Sequence, residues 1–161
     1  MLGEENLVMT RSTPFFEFEA DFVESLRCIP MQVRLKLDTC GIKLKLPQWH
    51  SFNAQERQML VDLPCDTEAD VQDYRGTLKQ LIQEHTGEPA TELIIDPNPE
   101  WKNSAVVAES VLQKAQEAGV TLHPHQWKNL TQDQRFALLK LSRSSHENRN
   151  FLPALKEFEV I

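Results

Sequence analysis

Chemistry in this chain of 161 residues would have to be carried by a short set of side chains: His123 and His125, the cysteines at 28, 40 and 65, and the run His146-Glu147-Asn148-Arg149-Asn150. An H-x-H pair can present two imidazoles to zinc, and Cys28, Cys40 or His146 could in principle complete such a site. Two ligands in a loop are half a site, however, and no carboxylate or thiol stands at a metal-ligand spacing beside them. The residues therefore predict no metal and no cofactor. Cys28 follows Arg27, the setting of an activated thiolate. Between Leu26 and Ile29 it reads more simply as a small buried hydrophobe. None of the three cysteines forms a C-x-x-C pair, which excludes a redox dithiol of that type, and their odd number argues against a disulfide framework. There is no G-x-S-x-G, no glycine loop for a phosphate and no H-E-x-x-H. No catalytic residue, and no enzyme, is predicted.

The run at 146–150 supplies five consecutive hydrogen-bonding residues between two predicted helices. His146 and Arg149 can satisfy the last carbonyls of the first helix while Asn148 or Asn150 caps the next turn. Two helix ends need fewer partners than this, and the surplus can face outward. His146, Glu147, Asn148 and Arg149 are accordingly the candidate partner-binding residues.

The two histidines at 123 and 125 belong to a repeat. "GIKLKLPQW" (41–49) returns as "GVTLHPHQW" (119–127) at a constant offset of 78 residues. Over 41–63 and 119–141 the identities are Gly41/Gly119, Leu44/Leu122, Gln48/Gln126, Trp49/Trp127, Arg57/Arg135, Leu60/Leu138 and Leu63/Leu141, seven in 23 positions. About one or two would arise by chance. Lys45 and Pro47 stand where the second copy has His123 and His125, so the repeated unit does not require histidine there.

Each copy reads as helix, glycine stop, leucine, short loop, tryptophan, cap, helix. Gly41 and Gly119 are left-handed helix stops. Trp49 and Trp127 are predicted to pack under the loop. Arg57 and Arg135 fall in the first turn of the second helix, where a cation opposes the helix dipole. Their presence calls for a specific acceptor, a carboxylate or a loop carbonyl.

The elements that must position these residues are helical. Helices are predicted over 30–40 with Pro30 as first residue, over 54–63 with an Asn53/Glu56 capping box, and over 68–86 with Thr67 as cap and Gly87 as stop. Further ones run from a Ser104 cap to Gly119, from a Thr131/Gln134 box to about 143, and from near Pro153 to 158. Phe22, Val23 and Leu26 fall at helical spacing after Ala20. In the irregular, proline-broken stretch 88–101, Leu93, Ile94 and Ile95 are expected to pin the chain to the core. The predicted class is all-α: a flexible tail over 1–13, then a single domain over 14–161 containing two pseudo-repeated helix–loop–helix units, about 30–63 and 104–143.

Composition narrows the class of function. A net charge of −7 and a pI near 5.2 oppose binding to nucleic acid, and no run of Lys or Arg compensates. An anionic membrane surface is disfavoured for the same reason, and no stretch approaches the ~20 apolar residues of a membrane span. Free cysteines and a polar N-terminus fit a cytoplasmic protein.

The segments "FFEFEADFVESLRCIPMQVRLKLDTCGIKL" (15–44), "LPQWHSFNAQERQML" (46–60) and "WKNLTQDQRFALLKLSRSSHENRNFLPALKEF" (127–158) resemble the nitrate reductase-associated protein family of cyanobacteria. The resemblance implies a non-catalytic accessory protein of nitrate assimilation, needed to obtain active nitrate reductase by maturation, stabilisation or cofactor insertion. Its implied partner is nitrate reductase or a protein that delivers a cofactor to it. The alternative is a small-molecule or metal sensor regulating the same pathway, with an anion near Arg57 or Arg135 or a metal at His123 and His125.

Overall fold

A computed structural model of the chain describes residues 15–20, 26–143 and 148–161. The predicted tail over 1–13, the helical spacing around Phe22 and Val23, and His146 and Glu147 lie outside the described residues.

The described residues are mainly helical and divide into two compact units between Ile95 and Asp96. One copy of the repeat lies in each. The first unit holds α1 (Met31–Cys40), α2 (Leu46–Ser51), α3 (Ala54–Asp62) and α4 (Glu68–Thr86). A two-stranded antiparallel ladder joins β1 (Ile42–Lys43) to β2 (Thr91–Glu92). The second unit holds a 3₁₀ turn at Glu100–Lys102, then α5 (Glu109–Glu117), α6 (Pro124–Asn129) and α7 (Gln132–Arg143). A 3₁₀ turn at Asn148–Asn150 and α8 (Phe151–Glu157) complete it. No helix among the described residues is long and apolar enough to cross a membrane.

In the first unit α1 packs against α3 and α4, and α2 against α4. Val33, Leu37, Trp49, Leu60, Tyr74 and Leu78 are among the core residues they share. The start of α1 is held by a carboxylate twelve residues away. Glu19, 2% exposed, accepts from the Met31 backbone N–H at 2.9 Å and from that of Phe16 at 3.1 Å. An anion at a helix N-terminus meets both the unpaired amides and the positive end of the dipole. In the second unit α7 packs against the first 3₁₀ turn, α5 and α8. Residues 135–139 of α7 are buried on every side.

The structure differs from the sequence expectations at several points. Helix α1 starts at Met31, with Pro30 as its extended cap. Helix α5 starts at Glu109 behind Ala108, five residues after the expected Ser104 cap. The reason is local: Asn103 Oδ1 accepts from the Ala105 N–H at 3.0 Å, closing a turn that keeps the helix from beginning there. Helix α8 begins at Phe151, so Pro153 is its third residue, where the missing N–H has no intrahelical partner to lose. The sequence contains no hairpin signal, yet Thr91–Glu92 pairs with Ile42–Lys43. Leu93, Ile94 and Ile95 do not enter the core. They are 40%, 100% and 46% exposed, because pairing to β1 at the surface holds this stretch outside the helices.

Candidate functional site

The two copies of the repeat share the backbone angles that open and close their short helices, and a set of side-chain-to-backbone hydrogen bonds. Gly41 and Gly119 end α1 and α5 with φ of 75° and 76°, left-handed backbone that favours glycine. The segments read as short loops in the sequence are one-and-a-half-turn helices, α2 and α6, offset by the same 78 residues as the sequence repeat. Their caps, Lys45 (φ −85°, ψ 149°) and His123 (φ −88°, ψ 150°), are nearly superimposable in dihedral angle. So are the residues that end them, Phe52 (−77°, 150°) and Leu130 (−72°, 152°). Pro47 and Pro124 sit in the first turn, where proline is tolerated. Gln48 Oε1 accepts from the Lys45 N–H and Gln126 Oε1 from the His123 N–H, both at 2.8 Å.

Trp49 and Trp127 are fully buried, and each indole N–H donates at 2.8 Å to a distant carbonyl, Leu26 O and Asn103 O respectively. Leu26, φ 57°, holds a left-handed conformation uncommon for leucine while its carbonyl receives Trp49.

Arg57 and Arg135 spend their guanidinium donors on the carbonyls that end α2 and α6. Arg57 Nε donates to Trp49 O at 3.1 Å and Nη2 to His50 O at 2.9 Å. Arg135 is 8% exposed, donates through Nε to Trp101 O at 2.7 Å, and through Nη1 to Leu130 O at 2.6 Å and Trp127 O at 3.5 Å. Burial lowers its pKa from the ordinary arginine value. Each arginine thus caps the negative end of the preceding short helix. These bonds engage Nε and Nη2 of Arg57 and Nε and Nη1 of Arg135.

His123 and His125 are exposed, and their rings stack at 5.6 Å between centroids. Among the described residues no group of three His, Cys, Asp or Glu converges as a metal site requires. Of the candidate partner-binding residues, Asn148 and Arg149 form part of the 3₁₀ turn ahead of α8, and Arg149 is exposed.

The thiols of Cys40 and Cys65 and the phenol of Tyr74 are held in their neutral forms. Burial, and after it the nearby Cys65, pushes the Cys40 thiol up to about 12, and burial raises Cys65 as well. Burial also raises the Tyr74 phenol well above its usual range, and its O–H donates to Leu60 O at 2.7 Å. Thiols in this state are poor nucleophiles. A shallow depression of about 470 Å³ on α3, lined by Gln55, Gln58, Met59, Asp62, Leu63 and Pro64, offers one carboxylate, and that one accepts from Gln58 at 3.0 Å. The lining of this depression therefore offers no acid–base pair.

Sequence reasoning missed two contributors. Glu19 acts across twelve residues, a distance at which no capping pattern exists. Trp101, buried edge-on against Phe136 at 5.0 Å, supplies the carbonyl that Arg135 binds. Its position between Pro99 and Asn103 gave no periodicity to read.

Comparison with known proteins gives one match. The family model for conserved nitrate reductase-associated protein covers residues 15–158. No curated protein and no solved structure matches the chain.

Proposed function

The chain belongs to the conserved nitrate reductase-associated protein family, and from that membership we propose that it is a non-catalytic accessory protein of nitrate assimilation. In this reading it acts in the cytoplasm, binds nitrate reductase or a protein delivering a cofactor to it, and helps the reductase reach its active form. The observation that carries the reading is the extent of the match, 15–158, which takes in both units rather than a short motif. The side-chain chemistry supports it: the arginines, thiols and tyrosine described above are committed to backbone carbonyls or held neutral, as befits a scaffold that binds.

The test is a deletion strain grown on nitrate, scored for reductase activity per unit of reductase protein, together with binding of the purified chain to purified reductase. Lower specific activity on deletion and a measurable complex are expected. Unchanged activity with no complex would refute the reading. The same assay examines His146, Glu147 and Arg149 through a triple alanine variant. Activity lost at unchanged melting temperature and abundance assigns them to recognition. Activity lost together with a lower melting temperature assigns them to helix termination, and full activity with an unchanged melting temperature removes them from both roles.

A further inference from the structure

One edge of the small ladder is open. Ile42 pairs with Glu92 and Lys43 with Thr91, and the Leu93 N–H donates to Gly41 O at 2.8 Å. Antiparallel pairs alternate between hydrogen-bonded and non-hydrogen-bonded. Gly41/Leu93 is a bonded pair, so Ile42/Glu92 is not, and the backbone N–H and C=O of Glu92 point away from β1. Beyond the ladder, the Ile94 N–H and C=O bond to no backbone group of a described residue. Among the described residues no third strand joins the ladder. Beside this edge stand Leu93, Ile94 and Ile95, with Ile94 completely exposed. Open edges are usually guarded by charged side chains, proline, a bulge or the shortness of the strand. Here β2 is two residues long and its one charge, Glu92, is already paired with Arg75, while Leu93, Ile94 and Ile95 carry no guard.

We propose that the outer edge of β2 and the residues after it, 91–95, takes up an extended, apolar and cationic segment of the protein partner as an added β-strand. The free backbone groups select an extended chain, and the exposed leucine and isoleucines select apolar side chains on it. The cationic character follows from charge. Glu92 is already matched by Arg75, and by Lys79 at 3.8 Å. Glu88 and Asp96, on either side along the chain, are exposed and form no ion pair with a described residue. The whole chain carries −7. A second copy of this chain fits less well. Two-fold pairing about Ile94 sets Glu92 against Asp96, and pairing about Glu92 sets two glutamates face to face, which is destabilising. The register that sets Glu92 against Ile94 places Ala90 opposite Asp96 and Asn98 opposite Glu88, so a second copy brings no cation to either acid. This inference rests on the accessory reading for the identity of the partner, while the edge itself is testable without it.

The discriminating variant is Ile94→Pro. It removes an N–H that bonds to no described backbone group, and leaves the β1–β2 bonds, which Ile94 does not make. Ile94→Lys keeps the N–H and repels a cationic strand. The probes are purified nitrate reductase, a synthetic peptide of alternating valine and lysine, and the same peptide with glutamate for lysine, each titrated into the isotope-labelled full chain. The valine–lysine peptide is expected to shift the amides of residues 91–95. Both variants should bind it, and the reductase, roughly tenfold more weakly at unchanged melting temperature, and the glutamate peptide should bind the wild type as weakly. Equal binding of the reductase by wild type and both variants overturns the edge and leaves the accessory reading standing. Peptide binding at 91–95 with no reductase binding does the reverse. Shifts at 91–95 that follow protein concentration alone assign the edge to a second copy and overturn the proposal.

Discussion

At the scale of single residues, the repeat is held by side chains that each make one decisive contact. Trp49→Ala and Trp127→Ala each delete a fully buried indole and leave a carbonyl without its donor. Each should cost roughly 3–5 kcal/mol in urea unfolding. A loss under about 1 kcal/mol at both would contradict the structural role given to them. The two glycines are not equivalent. Alanine at either adopts left-handed backbone at roughly 1–2 kcal/mol. At Gly119 an added Cβ meets nothing within 4 Å, whereas at Gly41 it lies 2.7 Å from Ile95 Cγ1 and 2.9 Å from Leu93 O. The second neighbour is backbone and cannot yield without moving the β2 stretch. Gly41→Ala should therefore exceed Gly119→Ala by about 1 kcal/mol or more. Equal losses would show that the close approach of 93–95 carries no constraint.

At the scale of elements, the caps differ between the units in what acid does to them. Asn53/Glu56 opens α3 and Thr67/Asp70 opens α4, with carboxylates accepting the cap N–H. The matching box on α7 is Thr131/Gln134, which does not titrate. The Asn53 amide, with the His85 ring also hydrogen-bonded, holds Glu56 below the usual carboxylate range, and the Thr67 amide does the same for Asp70. A depressed folded pKa contributes stability that is present above the ordinary carboxylate value and is lost as pH falls through the lowered one. Acidification should therefore speed hydrogen exchange at the Asn53 and Thr67 amides, corrected for intrinsic rates, and leave Thr131 unchanged. Parallel behaviour at all three would show that the carboxylates add nothing to the caps. These boxes were legible in the sequence because both partners lie three residues apart. So were the glycine stops, and so was the need of Arg57 and Arg135 for an acceptor, although only the structure selects carbonyls over carboxylates. The β1–β2 ladder was not legible, because two-residue strands have no alternation and their register is set by Gly41 meeting Leu93, 52 positions further along the chain. Helices α2 and α6 are too short for periodicity. Their signature is the proline of the first turn and the glutamine three residues after the cap, a pattern that fits a loop equally well.

At the scale of the whole molecule, both units have apolar cores, and the buried polar groups described here bond to protein atoms apart from the Gln32 carbonyl and the Trp101 ring N–H. A chelator should leave the helical circular dichroism and the melting temperature unchanged; a large loss restored by zinc would overturn the metal-free reading of His123 and His125. Those two histidines also show what kind of information the repeat stores. The side-chain bonds that the two copies share all run to main chain: Gln48 and Gln126, Trp49 and Trp127, Arg57 and Arg135. Peptide groups are the same whatever residue carries them, so the recipients are anonymous. Leu26 can be answered by Asn103, and Lys45 by His123, without altering the geometry. The motif is therefore written sparsely, in a few specifying letters separated by free ones, and a further instance in another chain would be found by glycine, glutamine, tryptophan and arginine at these intervals long before the intervening text looked alike.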